Sequence, residues 1–117
     1  MSIKEQILKP ARSKIINIDN IDIEVRELTL RTTMIAEELA ENNHPEKEQK
    51  TMRTIYFIIY SCYEVGTNNR IFDESDIDCF LDSAVNNGII TRVMSVITEF
   101  NKDIDSNAKL IEKKTQI

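Results

Sequence analysis

The sequence is poor in the residues that break or staple a chain. Its 117 residues include two glycines, two prolines, two cysteines, one histidine and no tryptophan. So few glycines and prolines favour helices over a turn-rich sheet fold. The longest apolar-rich stretch, residues 55–63, is shorter than the about 20 residues that a membrane-spanning helix requires. The first 14 residues lack the apolar centre of a signal peptide. We therefore expect one cytoplasmic domain without membrane contact.

Groups that carry chemistry are also scarce. Cys62 and Cys79 fall within apolar helical patterns, which predicts two reduced, buried thiols. His44 precedes a proline in a predicted loop, so we expect a solvated side chain or a helix cap. We find no glycine-rich phosphate loop, nucleophile motif or His/Cys cluster. The sequence therefore predicts neither an enzyme nor a cofactor or metal site.

Charge divides the chain into three parts. The net charge is +3 for residues 1–14, −9 for residues 15–101 and +1 for residues 102–117. Both ends are poor in aromatic residues, so we expect a mobile basic N-terminal segment (1–14) and a mobile C-terminal tail (102–117). The acidic body between them (15–101) is expected to form a mostly helical domain. Its charge disfavours binding to nucleic acid.

One segment departs from the helical pattern. Between residues 15 and 28, isoleucines and valines alternate with polar residues, and this period of two predicts β-strands. Asp19 and Asn20 both tolerate a positive φ and suit a tight hairpin turn. A lone hairpin is only marginally stable. We therefore expect it to lie on the helices or to pair with a neighbouring subunit.

The next segment predicts two helices. Thr29 is a suitable N-cap for residues 30–43, in which Ile35 and Leu39 fall on one face and Glu37 and Glu38 on the other side. Pro45 can take the first position of a second helix, which we place at about 45–64. Its second half, rich in β-branched and aromatic residues, also fits a buried strand. Continuity with the helix-favouring first half indicates a central helix, apolar on nearly all sides.

The acidic stretch 68–83 suits a helix start. Calcium is disfavoured, because an EF-hand alignment places neither the required glycine nor the twelfth-position glutamate correctly. Asp73 is instead predicted to cap a helix whose dipole favours the nearby acids. The spacing of the following apolar residues predicts a buried stripe: Ile77, Phe80, Leu81, Ala84 and Val85.

A final helix is predicted at about 90–102, after Asn86-Asn87-Gly88. Gly88 suits the left-handed position that ends the preceding helix. The apolar side of the final helix comprises Ile90, Val93, Met94, Ile97 and Phe100.

The same region permits a second interpretation, a small helix-turn-helix DNA-binding regulator. Ala84, Gly88, Ile89 and Met94 have the spacing of that motif. The helix that would enter the DNA groove offers only Arg92 for base or phosphate contacts, however. A helical hairpin with a glycine turn explains the same residues.

Three tyrosines recur at helical spacing. Tyr56, Tyr60 and Tyr63 are separated by four and three residues. Core packing is the ordinary interpretation of such a stripe, and a partner surface is the alternative, because amphipathic rings are common at interfaces. Together with Ile90 and Met94 they form the predicted partner-contacting set.

Two short motifs and their order carry a family resemblance. A Val-Arg-Glu-Leu-Thr segment follows the predicted strands and comprises Val25, Arg26, Glu27, Leu28 and Thr29. A later segment comprises Ile71, Phe72, Glu74, Asp76 and Ile77. A closing helix ends near Asn101. Over about residues 21–101 the chain resembles the tail assembly chaperones of long-tailed bacteriophages. It departs from that pattern at "GTNNR", where many relatives have a turn rich in Asp and Gly.

The resemblance implies a phage or prophage protein that acts during tail assembly. Such a chaperone binds the tape measure protein, keeps it soluble and helps to recruit tail tube subunits. It is expected in the cytoplasm of the bacterial host, absent from the mature virion, and weakly self-associating. Together with the patterns above, we expect a mainly α fold: about four helices in one compact domain, a short N-terminal β-hairpin and mobile termini.

Overall fold

The computed structural model describes residues 2–84 and 88–115, with side chains through residue 102. The elements of the described part follow in chain order: α1 (Ile3–Ile7), β1 (Ser13–Ile18), β2 (Ile21–Arg26), α2 (Leu30–Asn43), α3 (Glu46–Ser61), β3 (Cys62–Tyr63), a 3-10 turn (Glu74–Asp76), α4 (Ile77–Leu81) and α5 (Gly88–Thr115).

The prediction of a mainly α fold with about four helices is wrong. The described residues form five α-helices together with a three-stranded antiparallel sheet of order β1-β2-β3, so the domain is mixed. The predicted hairpin is the first part of that sheet. The third strand comes from a segment that we assigned to a helix, and its pairing depends on residues about 40 positions earlier in the chain.

The hairpin forms as the sequence predicts. Asp19 and Asn20 have φ values of 51° and 67°, the left-handed pair that a two-residue hairpin turn needs. The register places Ile18 opposite Ile21 and Ile16 opposite Ile23. Because side chains alternate along a strand, this register puts Ile16, Ile18, Ile21, Ile23 and Val25 on one face of the sheet, and Ile15 with Glu24 on the other.

The third strand corrects the predicted helix at 45–64. α3 ends at Ser61, and Cys62 already has extended backbone angles of −99° and 125°. Cys62 and Tyr63 then pair with Val25 and Glu24 of β2. The β-branched and aromatic character of this stretch favours extended backbone, but only its last two residues, which pair with β2, are extended.

The core lies between the sheet and two helices. α3 and α5 both contact β2, and α5 also contacts β1. The sheet contributes Ile16, Ile23 and Val25, all at most 6% exposed. The helices contribute mainly Met52, Ile55, Ile58, Ile59, Val93, Val96 and Ile97. The hairpin thus packs on the helices, as expected because an isolated hairpin is only marginally stable.

α2 begins as predicted but turns a different side inward. The Thr29 side chain accepts a hydrogen bond from the Thr32 N–H, which confirms the predicted N-cap. The residues buried against α3 are Ala36 and Ala40, whereas Ile35 is exposed and Leu39 is half-buried. Small alanines let the two helices approach closely, a solution that a pattern of large apolar residues does not reveal.

The acidic stretch starts a helix, but a short one. Asp73 and Asp76 form a capping box in which each side chain accepts from a backbone N–H, confirming the predicted cap. α4 nevertheless ends at Leu81, and both Leu81 and Ala84 are exposed, so the predicted stripe is buried only at Phe80 and partly at Ile77. Val85 lies outside the described residues.

Gly88 begins a helix instead of ending one. It is the first residue of α5 and lacks a positive φ, which corrects the predicted left-handed stop. It therefore also does not occupy the turn of a helix-turn-helix. Asn86 and Asn87, the rest of the predicted stop, lie outside the described residues.

The terminal elements extend beyond their predicted bounds. α5 continues to Thr115, past the predicted end near 102. At the other end, β1 starts at Ser13, inside the segment that we expected to be mobile, and a short helix precedes it at Ile3–Ile7.

Two smaller expectations also need correction. Cys62 is buried but Cys79 is exposed. His44 is the C-cap residue of α2, which agrees with the second of the two expectations for it. Its side chain is half-buried instead of solvated, and its Nε2 shares a hydrogen bond of 3.1 Å with the Tyr56 hydroxyl. Within the described residues, none of the helices combines the length and apolar character needed to cross a membrane.

Candidate partner-binding site

The Val-Arg-Glu-Leu-Thr segment joins the sheet to the helices. Val25 is fully buried in the core and Leu28 packs against it. Thr29 caps α2. Each of these three roles is structural, and each follows from the position of the segment at the end of β2.

Arg26 fastens a loop to the sheet. Its guanidinium lies 3.9 Å from the centre of the Tyr63 ring and donates to Glu24 at 2.6 Å, to the Asn68 side chain at 3.2 Å and to the Thr67 carbonyl. The Gly66 N–H donates to the same Glu24 carboxylate. We call this set the loop latch. The Arg26 hydrogen bond, followed by that of the Gly66 N–H, lowers the pKa of Glu24.

Glu27 fastens the strand that enters the sheet. Its carboxylate accepts from the Arg12 guanidinium at 2.8 Å, and the Arg12 guanidinium also donates to the Phe100 carbonyl and lies over the Phe100 ring. The hydrogen bond from Arg12 lowers the pKa of Glu27. The start of β1 is thereby tied to both β2 and α5.

Glu27→Gln is expected to reduce the decline in the free energy of unfolding as the pH falls. A carboxyl whose folded pKa is lowered stabilises the protein above its unfolded pKa, and this contribution is lost as pH falls through the folded value. We expect the free energy of unfolding of the variant to be about 0.5 kcal/mol lower than that of wild type at pH 7. Below about pH 5 it should decline less steeply than that of wild type. Urea unfolding between about pH 7 and pH 3 measures both effects. Glu38→Gln on the exposed side of α2 is the control. If the free energy of unfolding varies with pH in the same way in both variants, Glu27 does not stabilise the protein through Arg12.

The second motif shapes the surface beside α4. Phe72 packs edge-to-face on Phe80, with ring centres 5.0 Å apart, and Ile77 packs against the core. Glu74 accepts a hydrogen bond of 2.9 Å from the Tyr60 hydroxyl. Burial, and next the Glu74 carboxylate, raise the pKa of Tyr60. These contacts hold residues 71–77 against the body of the domain.

An apolar groove of about 610 Å³ lies between the hairpin, the Ile71-Phe72 segment and the start of α5. We call it the apolar trough. Its apolar lining residues are Ile18, Ile21, Ile23, Ile71, Phe72 and Ile89. Ile21 is 63% exposed, whereas Ile23 forms the floor at 6%. Such a groove, with a solvent-facing wall and a buried floor, suits the apolar side of a helix.

A smaller hollow of about 200 Å³ shares Phe72 and Ile89 with the trough. The charged residues among the described lining of the two depressions are Asp19 and Asp76. Asp73 lies beside Phe72 in the chain and is exposed. An apolar surface with an acidic rim favours a partner helix that carries lysines or arginines next to its apolar stripe.

The three tyrosines do not form one partner surface. Tyr56 is only 3% exposed and belongs to the core. Tyr60 is half-buried on α3, beneath the Arg70 guanidinium at 4.7 Å. Tyr63 lies in β3 under Arg26, not on the helix, because α3 ends before it. Tyr56 and Tyr60 therefore keep their helical spacing on α3, whereas Tyr63 does not continue it.

Ile90 and Met94 are half-buried on α5 and pack against the core. Ile90 also lines a separate pocket beside α3 and α4. None of the five residues predicted to contact a partner lines the trough: Tyr56, Tyr60, Tyr63, Ile90 and Met94. The one arginine predicted for a DNA-reading helix, Arg92, donates to the Asn17 carbonyl at the edge of β1.

The sequence missed the hairpin's part of the trough. Ile71 and Phe72 stand in the recognised motif, but Ile18 and Ile21 were assigned only to strands. One feature of the sequence indicates that these two residues are incompletely buried. They flank the Asp19-Asn20 turn, where apolar side chains are least covered by neighbouring strands.

Within the described side chains, no group of three or more His, Cys, Asp or Glu residues is placed to hold a metal ion. No protein-family model, curated protein or solved structure matches the chain.

Proposed function

We propose that the protein is a phage or prophage tail assembly chaperone that binds the tape measure protein through the apolar trough. The proposal joins two independent lines: the resemblance of residues 21–101 to that family, and the presence of an apolar groove suited to a helix. In this role the protein keeps its client soluble and helps to recruit tail tube subunits, within the cytoplasm of the bacterial host.

The observation that supports the proposal best is the trough itself. A long apolar client needs its exposed helical stripes covered, and a groove lined by five isoleucines and one phenylalanine offers matching surface. The acidic body keeps such a complex in solution, because net charge away from zero opposes aggregation. The rim aspartates add a preference for client helices with basic flanks.

Co-expression with a tape measure protein from the same phage or prophage tests the proposal. We expect the wild-type chain to increase the soluble fraction of the client and to co-purify with it. Ile21→Lys puts a charge into the wall of the trough and is expected to weaken the complex by at least about tenfold, equal to about 1.4 kcal/mol. Fluorescence anisotropy with labelled client fragments measures that change.

Ile15→Lys is the matched control. Ile15 is also an exposed isoleucine of the hairpin, at 55%, but it pairs with Glu24 on the opposite face of the sheet. We expect this variant to bind like wild type. Absence of any complex with the wild-type chain would overturn the proposed function, and equal weakening by both variants would overturn the trough as the binding surface.

A further inference from the structure

The N-terminal arm, residues 2–9, carries an apolar stripe that is largely exposed among the residues that the structure describes. Ile3, Ile7 and Leu8 are 76%, 72% and 67% exposed, and α1 buries none of its residues. A helix of five residues is too short to be stable in water without a surface to pack on. The arm therefore has the composition of a segment that becomes ordered against a partner.

The chemistry of the arm complements the apolar trough. Ile3 and Ile7 are one helical turn apart and present two apolar side chains on one face, which matches a groove lined by isoleucines. Lys4 and Lys9 outnumber Glu5 among the charged residues of the arm, which leaves the arm with a net charge of +1. The charged residues that line the trough and its adjoining hollow are the acidic Asp19 and Asp76. Apolar contacts and opposite charges thus favour the same pairing.

We propose that the N-terminal arm of one copy docks in the apolar trough of a second copy. Each chain then has one arm to donate and one trough to fill, so the contact is head-to-tail and several copies assemble in a row. The proposal uses the trough assigned above to the client, but the self-association needs no client. The two proposals therefore succeed or fail separately.

The trough of a second copy is easier for the arm to reach than the trough of its own chain. Arg12 is fixed beside Phe100 of α5 by a hydrogen bond to its carbonyl and by the contact with its ring. Ile89 lies eleven residues earlier on that helix, a distance of about 16 Å at 1.5 Å per residue. The five residue steps from Ile7 to Arg12 span at most about 17 Å when fully extended. An arm docked in the trough of its own chain would therefore need an almost fully extended connection between Ile7 and Arg12.

Sedimentation equilibrium of the full-length chain tests the proposal. We expect the wild-type apparent mass to rise with concentration between about 10 and 500 µM, as for a weak complex. Ile3→Glu/Ile7→Glu places two charges on the stripe, and Ile21→Lys alters the trough. Each should weaken association by at least about tenfold. Because neither Ile3 nor Ile7 is buried, the double variant should retain the wild-type thermal midpoint. Ile15→Lys, on the opposite face of the sheet, should associate like wild type.

A mixing experiment identifies the two halves of the contact. Ile3→Glu/Ile7→Glu keeps an intact trough, and Ile21→Lys keeps an intact arm. Neither should self-associate, but their equimolar mixture should form a heterodimer that grows no further. A wild-type chain that stays monomeric to about 500 µM, association that persists in the double variant, or a mixture without heterodimer would each overturn the proposal.

Discussion

Ile58→Ala is expected to lower the free energy of unfolding by about 3 kcal/mol. Ile58 is fully buried on α3, in the cluster shared by that helix, the sheet and α5. Removing three carbons there loses their transfer free energy and leaves a cavity that packed neighbours fill only partly. In a domain of this size the change corresponds to a fall of about 10–20 °C in the thermal midpoint.

Ile35→Ala is the control for this core substitution. Ile35 lies on α2 and is 38% exposed, so its truncation removes less buried surface. Both changes are isoleucine to alanine within a helix, and the intrinsic helix propensity therefore contributes equally. We expect the control to cost less than about 1 kcal/mol. Urea unfolding of both variants provides the comparison, and similar costs would contradict the placement of the core on α3.

Arg26→Met is expected to cost about 2 kcal/mol and to release the loop that it fastens. The methionine keeps much of the side chain's length but loses the stacking on Tyr63 and the bonds to Glu24, Thr67 and Asn68. A cation over a ring contributes about 0.5–1 kcal/mol, and hydrogen bonds to charged groups contribute about 1.5–3 kcal/mol before the loss of side-chain entropy. Urea unfolding measures the cost in stability.

Amide exchange measures the local effect of the same change. The Gly66 N–H donates to Glu24, which Arg26 holds in place, so exchange at Gly66 should accelerate in the variant. Arg70→Met is the matched control, because Arg70 also lies over a tyrosine ring, that of Tyr60, but is exposed. It should cost about 0.5 kcal/mol. If the two arginine variants are equally stable, the loop latch is not the support that its geometry indicates.

The loop latch bears on the proposed function because the segment that it fastens leads into the trough. Thr67 and Asn68 accept from Arg26, and Ile71 and Phe72 follow a few residues later as one wall of the groove. The Ile71 N–H donates to the Cys62 carbonyl at 3.1 Å, which continues the attachment. The position of that wall therefore depends on β3, the strand that the sequence did not predict.

Features set by neighbouring residues were predictable. The Asp19-Asn20 turn, the Thr29 cap and the Asp73 cap each depend on contacts within a few positions, so the residue types alone indicate them. The helical character of residues 46–61 followed in the same way from local propensity. For these elements the chain carries its own instructions.

Features set by distant residues were not predictable. Cys62 and Tyr63 become a strand only because β2 offers them a free edge. Ala36 and Ala40 face inward because α3 approaches closely, which leaves Ile35 exposed. The trough combines the hairpin with segments about 50 and 70 residues later, and no local pattern indicates that meeting. The motif residues were visible in the sequence, but the contacts of Arg26 and Ile71 depend on the third strand.

The order of the strands has a consequence during synthesis. The hairpin is complete at Arg26, whereas its neighbour in the sheet begins at Cys62, 36 residues later and beyond two helices. At 5–20 residues per second the ribosome needs about 2–7 s to make that interval. Throughout that interval Ile16, Ile23 and Val25 lack the finished α3 surface, and they lack the α5 surface until synthesis has passed Gly88 as well. A nascent chain stalled in this interval would present a two-stranded ribbon with an uncovered isoleucine face.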